Sequence, residues 1–442
     1  QQMFTMSAVS NHPDLLDNYL DYWIDNYDKA EAFTRKFFGG KGIFCLSGLL
    51  PEMTQLYAWP TVQFSWQASG FIGLMFYHRW KITNDVTWLR AKGYKFISGV
   101  FEFYESHLEM GKDGCYHVPL SASPEYDNDY ITAWAGDPNI DLALIRKICD
   151  FVVEMEQALG MNRHTGRAAE IKRRLAPYAI MEYSNRNYEF YLKKVLALWP
   201  GKLMEEPHRH PSHLMAIYPA LDITLEDGEE ACSIIEDSYK HYLSVGQYFW
   251  CGHSYGQMIS FAAVLRKPSH ALSFLRKASC WLSPNGRHFN PDRSSCGDWH
   301  YTAENAPTPM ILSTMDLQGG VVEGINTMLL QSHRGLIRIF PAVPEAWRTR
   351  VDFRDLGAEG GLLVSAAMHD GQTTEVVIKG APASTVKLVD PFGHGNFRSN
   401  AALKCEGGYL AGVIPPDGKL WIESRTAKQI SDMITSEENV KC

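Results

Sequence analysis

The stretch NIDLALIRKICDFVVEMEQALG, residues 139–160, carries a clear helical signal. Its apolar residues recur at intervals of three and four positions, as they do on one face of a helix. The members of this stripe are Leu144, Ile148, Val152, Met155 and Leu159. Gly160 follows directly, where a helix commonly ends in the left-handed conformation. The stretch therefore predicts an amphipathic helix that ends next to Gly160.

The same pattern extends over most of residues 12–332. In NDVTWLRAKGYKFISGVFEFYESHL, residues 84–108, an apolar stripe follows Asn84 and Asp85, either of which can cap the helix start. Further helices are predicted for residues 13–38, 67–81, 165–180, 229–245, 254–265, 269–282 and 319–332. About ten helices without βαβ alternation or a strict repeat favour an array of helical hairpins, either a solenoid or a closed (α/α)6 toroid.

The pattern changes after about residue 335. Short β-rich runs, such as GLIRIFPAV and TEVVIKG, are broken by the turn signals Asp370-Gly371 and Asp417-Gly418. This spacing predicts a C-terminal β-sandwich. We therefore expect a mainly α fold with a helical catalytic domain over 1–334, a β-sandwich domain over 335–425 and a tail over 426–442.

Composition excludes several classes of protein. The 442 residues are 45% hydrophobic and carry a net charge of −8 without a Lys/Arg-rich block, so neither nucleic acid nor anionic lipid is an expected partner. We find neither an apolar run long enough for a membrane span nor a signal peptide. The start, QQMFTMS, lacks an initiating Met and suggests a piece of a longer protein. Nine scattered cysteines predict no dense disulfide framework and do not decide the compartment.

The predicted loops are rich in aromatic, histidine and acidic residues, as in SASPEYDNDYITAWAGDP and GQYFWCGHSYG. Aromatic faces bury the apolar faces of sugar rings while polar neighbours bind the hydroxyls, so this composition suits a carbohydrate cleft. Ordinary packing of loops is the alternative explanation. The choice depends on the individual clusters.

One such cluster is HRHPSHL, with His208, Arg209, His210 and His213. A metal site is one interpretation, but the spacing matches no common zinc motif and Arg209 would add a positive charge. Histidines that satisfy local backbone groups are a second. Recognition of a polar ligand is the interpretation that we favour, with Arg209 as a forked donor and His210 as a donor or acceptor for hydroxyls.

Two acids are candidates for catalysis. Glu125 lies in a loop beside Tyr126 and shortly before Trp134, so burial among aromatic rings would raise its pKa and keep it protonated as a general acid. A solvated loop acid is the alternative. Asp316 precedes Gly319 and is a candidate general base, although capping of the next helix explains it equally well. An inverting glycosidase separates its two carboxyl groups by roughly 6.5 to 9.5 Å, which no sequence reveals.

Taken together, these segments resemble glycoside hydrolase family 95, the inverting α-L-fucosidases and their relatives. The resemblance rests on SASPE followed by DPNIDLALIRKI, on HRHPSHLMAIYP, and on GINTMLLQSHRGLIRIFPAVPEAW, in this order and over most of residues 1–390. It implies an (α/α)6 barrel with β-domains on either side. It also implies that Glu125 is the general acid, that Asp316 is the general base, and that Arg209 and His210 contact the sugar.

The resemblance implies further features of the site and the protein. We also expect Trp134 and His213 to contact an oligosaccharide or polysaccharide substrate, and we expect neither a metal nor a cofactor. Two asparagines that orient the water in the family would lie just before Gln2-Met3, so a chain without them should be crippled in catalysis. The resemblance further implies a secreted or periplasmic location.

The chain departs from the family around the base, where FQIDGNFGG is replaced by LSTMDLQGG. The wall of the sugar pocket is therefore altered, and an L-galactoside is a candidate substrate beside an L-fucoside. Three other functions are considered. These are a toroidal polysaccharide lyase in which Arg209 neutralises a uronate, a sugar-binding relative without catalysis, and a helical scaffold for protein partners, which the acidic and aromatic loops disfavour.

Overall fold

The computed structural model describes residues 2–49, 52–53, 59–128, 130–184, 192–279, 316–393 and 395–425. Up to Leu329 these residues are mainly helical, and from Leu330 onward they are mainly strands. The predicted order of helices first and sheets in the C-terminal region is therefore confirmed. No helix in this part of the chain combines the length and the apolarity that crossing a membrane requires.

The helices follow one another with few strands between them. Those in the described residues are α1 (Gln2–Val9), α2 (Pro13–Asp25), α3 (Tyr27–Phe37), α4 (Pro60–Gln63), α5 (Gln67–Thr83), α6 (Val86–Trp88), α7 (Tyr94–His107), α8 (Asn139–Leu159), α9 (Thr165–Arg174), α10 (Glu229–Ser244), α11 (Gly252–Val264), α12 (Pro268–Ser279) and α13 (Asp316–Leu329). A π-helical turn, Leu89–Gly93, joins α6 to α7. The 3-10 turns are Ile131–Ala133, Ser212–Leu214 and Glu345–Trp347.

Helix α8 forms as its apolar stripe predicts. Its stripe residues are buried, and Gly160 ends the helix at a φ of 66°. The helix packs against α5, α7 and α9. The predicted cap at the start of α6 is Asp85, whose carboxylate accepts a hydrogen bond from the Trp88 amide at 2.9 Å.

Among the predicted helices, three are divided or clearly shortened at their C-terminal end in the structure. The helix predicted over 13–38 is divided at Asn26, whose side-chain amide donates to the Tyr22 carbonyl at 2.8 Å and competes with the helical backbone. The helix predicted over 165–180 ends at Arg174, since Pro177 disfavours helical conformation in the residue before it. The helix predicted over 319–332 ends at Leu329, where a strand begins. Residues 280–282 of another predicted helix lie outside the described residues.

Three short antiparallel strand pairs lie among the helices. They are β1 (Glu109–Met110) with β2 (Tyr116–His117), β3 (Ser121–Ala122) with β4 (Trp134–Ala135), and β5 (Ile180–Tyr183) with β6 (Lys193–Leu196).

The C-terminal region contains two five-stranded sheets. Their strands are β7 (Leu330–His333), β8 (Leu336–Ile339), β9 (Arg350–Ala358), β10 (Leu362–His369), β11 (Gln372–Lys379), β12 (Thr385–Val389), β13 (Phe397–Ser399), β14 (Lys404–Glu406), β15 (Tyr409–Val413) and β16 (Lys419–Ser424). One sheet has the order β13-β16-β11-β10-β9 and the other the order β14-β15-β12-β8-β7. Val364 and Ile378 of the first sheet share a buried cluster with Leu388 and Leu410 of the second, so the sheets pack face to face.

The sheets begin five residues before the predicted boundary at 335. Strand β7 pairs with β8 so that His333 lies opposite Leu336. Arg334 and Gly335 connect them with φ values of 53° and 69°, as a two-residue hairpin turn requires. The predicted turn Asp370-Gly371 joins β10 to β11 in the same way, with φ values of 47° and 77°.

Helices α11 and α13 pack side by side and run in the same direction. A Cβ atom added at Gly256 would lie 3.0 Å from the Cα atom of Gly320, and one added at Gly324 would lie 2.5 Å from Ile259. The contact that lies later in α11 is also the one that lies later in α13, so the two helices are parallel and their N-termini lie at the same end of the pair. Glycines at both close contacts allow the backbones to approach. This packing positions Asp316, the first residue of α13.

Candidate active site

Glu125 lies in the loop that joins β3 to β4. In this strand pair Ala122 lies opposite Trp134, so both ends of the loop are anchored. Glu125 itself has a φ of 56°, a left-handed conformation that is uncommon for a residue with a side chain. Such conformations persist where the surroundings enforce them, and they concentrate at functional sites. The backbone of Glu125 is thus a first indication of function.

The loop that carries Arg209 and His210 is joined to the Glu125 loop and to the helices behind it. The hydroxyl groups of Ser123 and Ser212 hydrogen-bond at 2.5 Å, which connects the two loops. The Arg209 carbonyl accepts from the Ser254 hydroxyl of α11 at 2.8 Å. The Tyr242 hydroxyl of α10 donates a hydrogen bond to the carbonyl of His208, the residue before Arg209. The Arg209 and His210 side chains therefore start from a well-anchored backbone.

The Glu125 carboxylate is contacted by both predicted sugar-binding residues. The Arg209 guanidinium forms an ion pair with Glu125 Oε2, and His210 Nε2 lies 2.9 Å from the same oxygen. The Glu125 and Arg209 side chains are 19% and 10% exposed, so the pair is largely removed from water. Three residues that the sequence placed in two separate segments thus meet at one carboxylate.

The protonation state of Glu125 is the opposite of the one that its aromatic surroundings predicted. Burial alone would raise the pKa of this carboxyl, but the hydrogen bond from His210 and the positive charge of Arg209 outweigh it and lower the pKa to about 2. Glu125 is therefore ionised at neutral pH in this structure. The prediction of a raised pKa considered only the aromatic neighbours Tyr126 and Trp134. It was wrong because the tertiary fold also brings the donors Arg209 and His210 to the carboxylate.

The aromatic neighbours of Glu125 take two different positions. Tyr126 is buried in the core and packs edge-on against His208, with ring centroids 5.4 Å apart. Trp134 is partly exposed on β4, beside the strand that leads into the Glu125 loop. Contact of Trp134 with a sugar is compatible with this position and stays a prediction.

His213 does not belong to the cluster, contrary to the prediction. It lies in the Ser212–Leu214 turn, is only 1% exposed, and packs edge-on against Tyr242 with ring centroids 5.6 Å apart. Burial lowers its pKa well below the usual value, so the ring is neutral. The chain turns at Pro211, between His210 and His213, and this turn directs the His213 side chain into the core.

Asp316 is the first residue of α13 and is partly exposed. It lies within the helix instead of before it, so it does not occupy the capping position that the alternative explanation required. Since α11 and α13 run in the same direction, Asp316 lies at the end of the pair where α11 begins. His253 is in the first turn of α11 and contacts His210. The structure thus places Asp316 at the same end of these helices as the cluster around Glu125.

Two residues of the site escaped the sequence analysis. His253 Nε2 lies 3.2 Å from His210 Nδ1, and the two rings stack with centroids 4.7 Å apart. His253 Nδ1 in turn lies 3.0 Å from the sulfur of Cys251, which is fully buried. The segment GQYFWCGHSYG had been noted for its composition, but nothing in its spacing pointed to His210.

The described residues include no group of three or more His, Cys, Asp or Glu side chains arranged to hold a metal ion. The ring nitrogens of His210 and His253 face each other, a carboxylate and a thiol, whereas those of His208 face backbone groups of Glu125 and His210.

Comparison with known proteins identifies relatives. The model of the glycosyl hydrolase family 95 catalytic domain matches residues 1–329. Alpha-L-fucosidase 2 of Arabidopsis thaliana is 26% identical over 315 residues, which are 67% of this chain and 34% of that protein. The chain therefore spans about one third of the length of this curated relative.

A solved structure supports the fold. A protein assigned as a kojibiose phosphorylase, from the human microbiome, is similar with a TM-score of 0.51 over 82% of this chain and 53% of that one. The sequences are 10% identical, so the similarity concerns the fold alone.

Proposed function

We propose that this chain, which belongs to glycosyl hydrolase family 95, removes terminal α-L-fucosyl or related α-L-galactosyl residues from glycans with inversion at the anomeric carbon. The name of the Arabidopsis relative supports the choice of sugar. We also propose that the helices form an (α/α)6 barrel domain over 1–334, followed by a β-sandwich domain over 335–425 and a tail over 426–442. A secreted or periplasmic location stays a prediction.

The observation that carries the proposal is the contact of Arg209 and His210 with the Glu125 carboxylate. An acid, a forked cationic donor and an imidazole converge on one partly exposed point. Arg209 and His210 can donate to sugar hydroxyls, while Glu125 can deliver a proton to the oxygen that leaves. A scaffold for protein partners would need none of these three groups at one place.

In the proposed reaction the C1–O bond breaks as Glu125 transfers its proton to the glycosidic oxygen. Asp316 takes a proton from a water molecule on the opposite face of the sugar, and the oxygen of this water forms the new bond to C1. The products are a free sugar of inverted configuration and the alcohol of the remaining glycan. Glu125 is then ionised and Asp316 protonated, and exchange of protons with solvent restores both.

Glu125 must gain a proton before it can act, since it is ionised in the free protein. Sugar hydroxyls that bind Arg209 and His210 would draw these donors away from the carboxylate. Burial would then be the main influence on the pKa of Glu125, and burial raises the pKa of a carboxyl group. In this mechanism the substrate itself brings the acid into its protonated form.

The configuration of the first product tests the proposal. The full-length protein, with the asparagine pair that is expected before Gln2-Met3, is incubated with a panel of α-L-fucosides and α-L-galactosides, and the released sugar is followed by ¹H NMR before its anomers equilibrate. We expect the β-anomer to form first. Early formation of the α-anomer would contradict inversion, and a product with a new double bond that absorbs in the ultraviolet would indicate a lyase. Binding without release from any substrate would indicate a sugar-binding relative.

Arg209→Met should change the pH dependence of the reaction. Without the cation the pKa of Glu125 in the free protein rises from about 2, so the decline of kcat/KM that its deprotonation causes should move to higher pH. Loss of the charged hydrogen bond to the sugar should also lower kcat/KM by roughly 10- to 100-fold. The measurement is a pH profile of kcat/KM for both proteins.

The matched control is Arg163→Met, which removes an arginine that pairs with Glu102 at 2.7 Å in a more exposed position. Its pH profile should equal that of the unchanged protein. An alkaline limb that stays in place in Arg209→Met would show that Arg209 does not control Glu125.

A further inference from the structure

Three hydrogen bonds connect four side chains of the candidate site in a row. They join Glu125 to His210 at 2.9 Å, His210 to His253 at 3.2 Å, and His253 to Cys251 at 3.0 Å. The row runs from a partly exposed carboxylate to a thiol that is fully buried at the start of α11. The family resemblance assigned a role to the first two of these residues only.

The direction of the hydrogen bonds follows from the carboxylate. An ionised Glu125 can only accept, so His210 Nε2 carries a hydrogen and donates it. Burial lowers the pKa of His210, so the ring is neutral and its Nδ1 is an acceptor. His253 Nε2 must therefore donate to His210. With this hydrogen on Nε2, His253 Nδ1 is the acceptor that faces the Cys251 thiol at 3.0 Å.

The packing around the row keeps the rings in place. The His210 and His253 rings are stacked, with an angle of 24° between their planes. Ser254, next to His253 in α11, donates to the backbone of Arg209. The start of α11 and the loop that carries His210 are therefore attached to each other at the side chain and at the backbone.

We propose that His253 and Cys251 are positioning residues, which hold His210 in the tautomer whose Nε2–H points to Glu125. The hydrogen bond on one imidazole nitrogen decides which tautomer is present, and His253 supplies that bond at Nδ1. The same Nε2–H is needed in both states of the site. It donates to Glu125 in the free protein and to a sugar hydroxyl in the complex, which rests on the proposed function.

Other charged or titratable groups also face this part of the site. They include Arg209, which pairs with Glu125, His208, whose Nε2 lies 3.3 Å from the Glu125 carbonyl, and Tyr242, whose hydroxyl donates to the His208 carbonyl. Burial lowers the pKa of His208 to about 3, so its ring is neutral at pH 7. A change in the tautomer of His210 is therefore distinguishable from a change in either neighbour.

The first test needs no substrate. In protein labelled with ¹⁵N-histidine, the ring nitrogen shifts of His210 report its tautomer, and the resonances are assigned by their loss in His210→Gln. We expect the Nε2–H form in the unchanged protein at pH 7. We expect His253→Leu to convert a large fraction of His210 to the Nδ1–H form. His253→Gln should restore the original form, because the side-chain amide of the introduced glutamine can donate to Nδ1.

The second test follows activity against pH. His253→Leu should lower kcat/KM by roughly fivefold to tenfold, the usual effect of one lost hydrogen bond. It should also move the alkaline limb upward, because Glu125 loses a donor that stabilises its ionised form. Cys251→Ala should lower kcat/KM and move the alkaline limb in the same directions by smaller amounts. Cys251→Ser should leave both unchanged, because the serine hydroxyl can still donate to His253.

The control is His270→Leu, which breaks the contact of His270 with the Tyr239 hydroxyl, away from the row. It should leave both the tautomer and the pH profile unchanged. If His253→Leu does not fold, the comparison of Cys251→Ala with Cys251→Ser tests the same row. An Nδ1–H or cationic His210 in the unchanged protein, or an unchanged tautomer in His253→Leu, would overturn the proposal. If the tautomers behave as expected but Glu125→Gln stays active, the positioning of His210 stands and the role of Glu125 fails.

Discussion

Glu125→Gln is expected to lower kcat on a natural oligosaccharide by roughly 10³-fold, because the amide cannot donate the proton that the leaving oxygen needs. The loss should be much smaller on a glycosyl fluoride, since fluoride leaves without being protonated. Steady-state rates on the two substrates measure this difference. A uniform loss on both would indicate that Glu125 serves the structure or binds the sugar instead.

Stability has to be measured beside activity in this variant. Glutamine removes the carboxylate charge that pairs with the largely buried Arg209, and loss of one partner of a buried ion pair costs about 3 kcal/mol. The stabilisation from ionised Glu125 is fully present above its unfolded pKa of 4.5 and is lost as the pH falls through about 2. The difference in Tm between Glu125→Gln and the unchanged protein should therefore be large at neutral pH and small near pH 2.

Asp127→Asn is the matched control for the same loop. Asp127 has a φ of 59°, which asparagine tolerates, and the substitution removes one negative charge two residues from Glu125. Activity on both substrates should be unchanged. Equal losses in the two variants would show that the loop is sensitive to any change of charge, and the assignment of the acid would then fail.

Asp316→Asn is expected to lower kcat by a similar factor, roughly 10³-fold, because no group then accepts the proton of the attacking water. In contrast to the acid variant, the loss should be the same for good and poor leaving groups. Azide ions should restore part of the rate and give a β-glycosyl azide, since azide attacks without a base. Rates with and without azide, and NMR of the product, measure both effects.

Glu229→Gln separates catalysis from stabilisation of the helix. Glu229 is an exposed acid in the first turn of α10, as Asp316 is an acid in the first turn of α13. Each acid stabilises its helix through the macrodipole by about 0.3–1 kcal/mol, so both variants should lower the Tm by similar small amounts. Only Asp316→Asn should lose activity. Full activity of Asp316→Asn would contradict its role as the base.

Local signals in the sequence predicted those helices whose formation and ends depend on neighbouring residues alone. The stripe of α8 and its end at Gly160 follow from spacing and from the conformation of glycine, and the structure has both. The division at Asn26 and the end of α9 before Pro177 have equally local causes. The sheets start at Leu330 because β7 pairs with β8, and a pairing between two segments is harder to predict from local sequence.

The candidate site shows the limit of such signals. Arg209 and His210 were selected from a run of similar residues, but the run could not show that His213 turns into the core. His253 was missed because its partner, His210, belongs to a distant segment. In both cases the decisive fact is the direction of a side chain relative to another element.

The sequence by itself therefore determined the helical part with C-terminal sheets and the family, and it singled out Glu125, Arg209 and His210 as candidate site residues. Only the tertiary structure decided the charge of that group. A pKa depends on the few ångströms around a carboxyl, and the ion pair with Arg209 and the row through His253 to Cys251 exist only after distant segments have packed together. Composition records which donors the chain has, whereas packing decides which acceptor each of them meets.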